Sequence, residues 1–155
     1  MARQIIFTSK AAKPSPTYSQ AVKAAGLVFV SGTAPIEPET GKIKGTTVQE
    51  QTQQCLTNIA AILEAAGTSM EKIASATVIL ADEDDFAGMN EEWMRWFPTN
   101  PPARQGASFR HAFRASRFQL PPSLRFKNIE PAIAANMLLS RCSPIWVRDG
   151  LSAIH

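Results

Sequence analysis

The sequence predicts a single α/β domain in which a small sheet carries two helices on one face. Three observations predict it. Short β-branched apolar runs alternate with two helix-length amphipathic segments, those segments carry recognisable start and stop signals, and 155 residues suffice for one core without disulfide staples. All of these features fall within residues 1–107; residues 108–155 lack them.

Arg3 to Phe7 is a short strand candidate, and the glycine-bounded run GLVFVSG, Gly26 to Gly32, reads as a buried strand. A turn at Glu39 to Gly41 follows. Thr47 then opens a long helix, because TVQE places a hydroxyl at the N-cap and Glu50 three residues on, the spacing of a capping box. Cys55, Ile59, Ile62, Leu63 and Ala66 keep one apolar stripe, and Gly67 supplies the stop. Ile73 to Leu80 is the next strand, with alternation around Ile73, Ser75, Thr77 and Ile79. The acidic run Asp82 to Asp85 loads the start of a second helix, where the dipole favours it; that helix continues through Met89, Trp93 and Trp96 to Pro98. The segment PPARQGA is extended. Two helices cover only one sheet face, so the other is expected to pair with a second copy of the chain.

Charge is unevenly distributed. Residues 1–107 hold 9 Lys/Arg against 11 Asp/Glu, a balance of −2, whereas residues 108–155 hold 7 against 2, a balance of +5. The folded body therefore offers no electrostatic argument for nucleic acid. Cys55 and Cys142 make no disulfide framework, and Cys55 on the apolar helix stripe reads as a buried inert thiol. No apolar run approaches the roughly 20 residues a bilayer requires, and the N-terminus has no signal-peptide pattern, which predicts a cytoplasmic protein without a membrane partner.

The body contains no histidine, since His111 and His155 both lie after residue 107. Histidine-based triads and ordinary zinc sites are thereby excluded from it, and GTTVQE is not a phosphate loop. The run DEDD reads as helix capping; a hard cation wants ligands converging from several segments, so no metal site is expected. Small polar groups remain at segment ends: Tyr18 and Ser19 in PTYSQA, Ser31 and Thr33 in VSGTAP, Asn90 in FAGMNEEW and Arg104 in NPPARQGA. Arg104 is the sharpest candidate. Its guanidinium is a rigid fork that grips a planar carboxylate, and a stiff Pro-Pro segment precedes it. The competing reading is an ordinary surface or ion-pairing arginine.

YSQAV, VFVSGTAP, the helix from Val48 to Gly67, IASATVILAD, FAGMNEEWMRWFP and NPPARQGA, in this order and spacing, resemble the RidA/YjgF family of reactive-intermediate deaminases, also called the L-PSP endoribonuclease family. The resemblance implies a chorismate-mutase-like α/β fold, a homotrimer and a site between subunits. It also implies that Arg104 binds the carboxylate of a 2-imino acid, that Tyr18 and Ser31 line the same cleft, and that Asn90 supports the site. The implied reaction is hydrolysis of 2-imino acids such as 2-iminopropanoate and 2-iminobutanoate to 2-keto acids and ammonia, without a cofactor. Two further readings stay open: an endoribonuclease or translation inhibitor, for which the body lacks a basic-aromatic surface, and a non-catalytic module that holds a small carboxylate.

Residues 108–155 depart from the resemblance. Family members place a glutamate on a last strand resembling VEIEAIA; here Glu130 in KNIEPAIAA is superficially similar, but a proline follows it directly. The tail reads instead as an out-of-frame translation. Residues 107–127 can be written in legitimate codons such that one additional nucleotide after codon 107 yields AKLPARIPGLKVSIAAIAEV followed by a stop. That ending is a proline-glycine turn, a closing strand and termination, which is what the resemblance implies after PPARQGA. The chain is accordingly expected to lack the normal last strand and to assemble poorly, with no evolved chemistry in His111, Glu130, Cys142 or Trp146. Where the glutamate would sit, even the restored frame has alanine.

Overall fold

The computed structural model describes residues 2–108 and 145–148. Six strands form one mixed sheet in the order β1-β2-β3-β6-β4-β5. They are β1 (Gln4–Ile6), β2 (Ala21–Ala24), β3 (Leu27–Val30), β4 (Ile73–Leu80), β5 (Ala103–Ser108) and β6 (Ile145–Arg148). Helices α1 (Val48–Ala65) and α2 (Phe86–Trp96) pack together on one face. The core lies between helices and sheet: Val28 and Val30 of β3 and Ala76, Val78 and Leu80 of β4 meet Leu56, Ile59, Leu63, Met89 and Trp93.

The predicted α1 signals operate as chemistry. The Thr47 hydroxyl accepts from the Glu50 amide at 3.2 Å, and the Glu50 carboxylate accepts from the Thr47 amide at 3.2 Å. Bonds from the Thr46 and Thr47 amides hold the Glu50 carboxyl below its ordinary range. Gly67 adopts φ 78°, the left-handed conformation that ends a helix. At the second helix, the acidic run divides its work. Asp82 accepts from the Asp84 amide at 3.3 Å and caps a short 3-10 turn, Glu83–Asp85, whereas Asp85 at the N-cap of α2 makes no side-chain cap bond.

Two details differ from expectation. β2, which no sequence signal announces, is a short segment containing Lys23 that pairs antiparallel with β3 across the two-residue loop Ala25-Gly26, both residues at positive φ. On β4 the buried residues after Ile73 are Ala76, Val78 and Leu80, not Ser75, Thr77 and Ile79. A register shift between Ile73 and Ser75 reverses which face each residue takes, as a bulge does. Ile145–Arg148 of the tail lies between β3 and β4, antiparallel to both. The facing edges of β3 and β4 give the four-residue run Ile-Trp-Val-Arg a ladder on each side. His111, Glu130, Cys142 and His155 lie outside the described residues.

Polar side chains buried against this frame fix its loops. Gln20, 4% exposed, donates from Nε2 to the carbonyls of Thr8, Ala11 and Ala12 and accepts from the Thr8 amide at 2.7 Å. It thereby holds the segment after β1 against the start of β2. Asn58 on α1 is fully buried and donates to the carbonyls of Ala34 and Ile36, fastening the loop that follows β3. Both satisfy carbonyls that no strand partner reaches.

Candidate functional site

Strands β4 and β5 with α2 between them form a parallel crossover unit, and this unit builds the surroundings of Arg104. In the β4–β5 register Arg104 lies opposite Ala76, whose side chain is buried against the helices. Arg104 therefore projects toward α2. There its Nη2 donates to Asn90 Oδ1 at 2.6 Å and its Nη1 to Met89 Sδ at 3.6 Å. The guanidinium carbon lies 5.0 Å from the centre of the Trp93 ring and 5.8 Å from that of Phe86. Phe86, Met89, Asn90 and Trp93 stand at i, i+3, i+4 and i+7, so one face of α2 supplies the whole cradle.

Gly106 belongs to this arrangement. A Cβ there would lie 2.5 Å from Phe86 Cζ and 2.9 Å from Cε2, so the absent side chain is what allows the ring to lie against β5 beside the guanidinium.

Every partner of the Arg104 fork is neutral. Among the described residues no carboxylate lies within ion-pair distance of it, although Lys44 pairs with Glu37 and Arg95 with Glu92. Burial without an anion pulls the guanidinium below its ordinary pKa, and it nevertheless keeps its charge at neutral pH. A half-buried cation held by an amide oxygen and two ring faces keeps fork donors that are chemically able to bind an anion.

Tyr18 and Ser31 form a second group. They share a cavity of about 80 Å³ with Gln20, Thr33 and Ala34, and neither Arg104 nor Asn90 lines it. The Ser31 hydroxyl donates to the Ser19 carbonyl at 2.7 Å, and the Ser31 amide donates to the Gln20 carbonyl at 3.0 Å, so Ser31 extends the β2–β3 ladder and fixes the Tyr18-Ser19 segment. Tyr18 is 50% exposed, its ring available beyond its own chain. Within one chain, then, the four predicted site residues occupy two places: Arg104 with Asn90, and Tyr18 with Ser31. Phe86 and Trp93 were read only as helix residues; their i and i+7 spacing around Asn90 is the signal that could have found them.

The family model for endoribonuclease L-PSP matches residues 8–112. The chain belongs to this family. A RutC family protein of Pyrococcus abyssi is 48% identical over 104 residues, covering 67% of this chain and 82% of the relative. A goat (Capra hircus) protein named 2-iminobutanoate/2-iminopropanoate deaminase is 38% identical over 104 residues, covering 67% of this chain and 76% of its own. Among solved structures, Escherichia coli TdcF with bound serine aligns with a TM-score of 0.67 and 27% identity, covering 94% of this chain and 99% of that one. The fold of this L-PSP family member is thus that of the Rid proteins, with two helices against one mixed sheet. Among the described residues no helix is long and apolar enough to cross a membrane.

Proposed function

We propose that this chain hydrolyses small 2-imino acids, such as 2-iminopropanoate and 2-iminobutanoate, to the 2-keto acid and ammonia. The observation that carries the reading is the Arg104 fork, half-buried among neutral partners with no internal carboxylate to satisfy it. The goat relative's name supplies the substrate class, and serine in TdcF shows that a protein of this fold takes a ligand bearing an α-carboxylate. Arg104 would hold the substrate carboxylate through two parallel N–H···O bonds while Asn90 keeps the guanidinium in place. Water adds across C=N, its oxygen to C2 and its proton to nitrogen; the carbinolamine then collapses, the C–N bond breaks, and ammonia departs as the hydroxyl proton is transferred to nitrogen. The imine is intrinsically reactive, so fixing its carboxylate and presenting a water accelerates the step by positioning. Ammonia release from freshly generated 2-iminopropanoate, compared between this chain and Arg104→Ala, tests the reading; equal rates would overturn it.

Where the missing last strand is compensated, the same reading includes a homotrimer whose clefts would bring Tyr18 and Ser31 of one copy to the Arg104 of the next. Its support is the sheet face away from the helices. Ile5 and Phe7 there are 60% and 62% exposed, and Phe29 and Ile79 are half-buried on the same side, more apolar surface than one helix layer covers. Charging this face with Ile5→Glu is expected to shift the chain from trimer to monomer in size-exclusion chromatography with light scattering. A monomer before the substitution contradicts the assembly.

Asn90→Asp checks the electrostatic part. A carboxylate 2.6 Å from Nη2 would occupy the fork and compete with substrate. KM for 2-iminopropanoate should rise by about 10-fold or more while the melting temperature is held or raised, since the new pair adds a charge-assisted bond. An unchanged KM would place the substrate carboxylate elsewhere.

A further inference from the structure

Glycines seat the first turn of α2 on two sides. On one side Gly106 of β5 receives the ring of Phe86: a Cβ at 106 would lie 2.5 Å from Phe86 Cζ, where ordinary contact begins near 3.4 Å. On the other side Gly88 of α2 lies against α1, and a Cβ there would lie 2.6 Å from Val48 Cγ1 and 2.9 Å from Gln49 Nε2. Gln49 Nε2 also donates to Glu91 Oε2 at 3.0 Å, which ties the two helices together. Capping does not fix this end of α2, because the Asp85 side chain at the N-cap makes no cap bond. Close packing against α1 and β5 decides where the turn sits. Gly106 is opposite Val78 inside the β5 ladder, in backbone that any residue adopts, so glycine serves there through its missing side chain; a glycine within a strand weakens it and marks a close approach.

We infer that the Phe86–Gly106 seat is a positioning element of the Arg104 site, fixing where α2 lies over β5 and hence where Asn90 and Trp93 meet the guanidinium. The inference rests on the reading of Arg104 as the holder of a substrate carboxylate. Arg104 and Gly106 stand two residues apart on one face of β5, so the ring on Gly106 is also the ring 5.8 Å from the guanidinium carbon. Phe86 is the first residue of α2, and Asn90 and Trp93 follow it one and two turns on along the same rigid rod. A side chain at 106 would require a displacement of about 0.9 Å at the ring tip. Phe86 packs against the core, so the ring has two ways to give. It turns aside and leaves the guanidinium, or it lifts the first turn of α2 and draws Asn90 Oδ1 from Nη2, a bond that stands at 2.6 Å. Either movement changes the direction of the donors that Arg104 offers to a carboxylate, and bidentate binding is sensitive to that direction. Neither residue touches the reacting atoms; both act through Arg104.

The test compares the full chain with Gly106→Ala, Phe86→Leu and the two combined, each measured for Kd of 2-oxobutanoate by calorimetry, for KM with 2-iminobutanoate and for melting temperature. Gly106→Ala is expected to weaken 2-oxobutanoate binding by about 10-fold or more, since a misplacement near 1 Å can cost up to about 10²-fold. Phe86→Leu loosens the seat without a clash and should weaken binding by about 3-fold. In the combined variant the alanine methyl fills the room that the shorter leucine leaves, so Kd should return to within about 2-fold of the parent. Alanine at 106 is thus harmful beside phenylalanine and helpful beside leucine, and KM should follow the same order. A seat that serves packing alone would lower the melting temperature of the single variants and leave Kd and KM at the parent values. That result, or two effects on Kd that simply multiply in the combined variant, would overturn the inference. If Gly106→Ala fails to fold, Phe86→Leu is compared with the combined variant, and a Kd that the added alanine does not improve overturns it equally. 2-Oxobutanoate is a stable 2-keto acid, so binding is read apart from turnover. A parent chain that binds it without releasing ammonia from the imine sinks the hydrolysis alone, whereas a parent that binds none has no carboxylate site to position and overturns the inference.

Discussion

Replacement of Arg104 by alanine is expected to lower kcat/KM for 2-iminopropanoate by about 10²–10³-fold, roughly 3–4 kcal/mol of lost transition-state binding. The magnitude follows from what the fork supplies. A carboxylate bound by two charge-assisted bonds in a half-buried site loses both when the guanidinium is removed, and no other cation stands within reach of Asn90 among the described contacts. Arg104→Lys separates charge from geometry. An ammonium retains the charge but cannot hold Asn90 Oδ1 and a bidentate carboxylate together, so a loss of about 10–10² is expected, mostly in KM. The fold should survive both changes, because β5 is held by its parallel ladder to β4 and Arg104 is not among the core residues. Melting curves beside steady-state ammonia release check this. A lysine variant as fast as the parent would show that a point charge is sufficient and that the fork has no role.

The parts of this molecule that sequence exposes are those governed by local periodicity. Thr47, Glu50 and Gly67 bound α1 because capping is decided within a few residues, and the stripe from Cys55 to Ala66 is buried as its spacing requires. β4 was placed correctly from Ile73 to Leu80 but with its faces reversed after the first residue, since the irregularity between Ile73 and Ser75 depends on a partner strand distant in sequence. β2 escaped for a related reason. Its hairpin turns at Ala25-Gly26, and alanine at φ 53° is not the Asn-Gly or Asp-Gly pair that announces such a turn. Arg104 was legible as a guanidinium after two prolines, whereas its aromatic flanks were not. Phe86 and Trp93 reach it only because α2 crosses from β4 to β5, a relation set by topology. The separation of Tyr18 and Ser31 from Arg104 within one chain was equally hidden, because it depends on which strands neighbour one another in the sheet and not on sequence order.

Trp93 joins the stability of the domain to the orientation of Arg104, and its substitutions should divide the two. The ring is 6% exposed, stacks at 4.5 Å on Phe97 and lies beneath the guanidinium at 5.0 Å. Trp93→Ala removes a buried aromatic from the contact between α2 and the sheet and is expected to cost about 3–5 kcal/mol, enough to unfold much of a marginal domain. Activity lost with that variant would say nothing of the site. Trp93→Phe is the informative change, because a smaller ring keeps most of the packing against Phe97 while presenting a weaker π face to the cation, a difference of up to about 1 kcal/mol. If the ring holds Arg104 in its receiving orientation, KM for the imino acid should rise by about 3–5-fold with kcat little changed, and the melting temperature should fall by only a few degrees. If Trp93 serves packing alone, the melting temperature falls and KM stays at the parent value. The two outcomes cannot be confused, since Asn90 remains bonded to Nη2 in both and holds the guanidinium near its place while the aromatic contribution is varied.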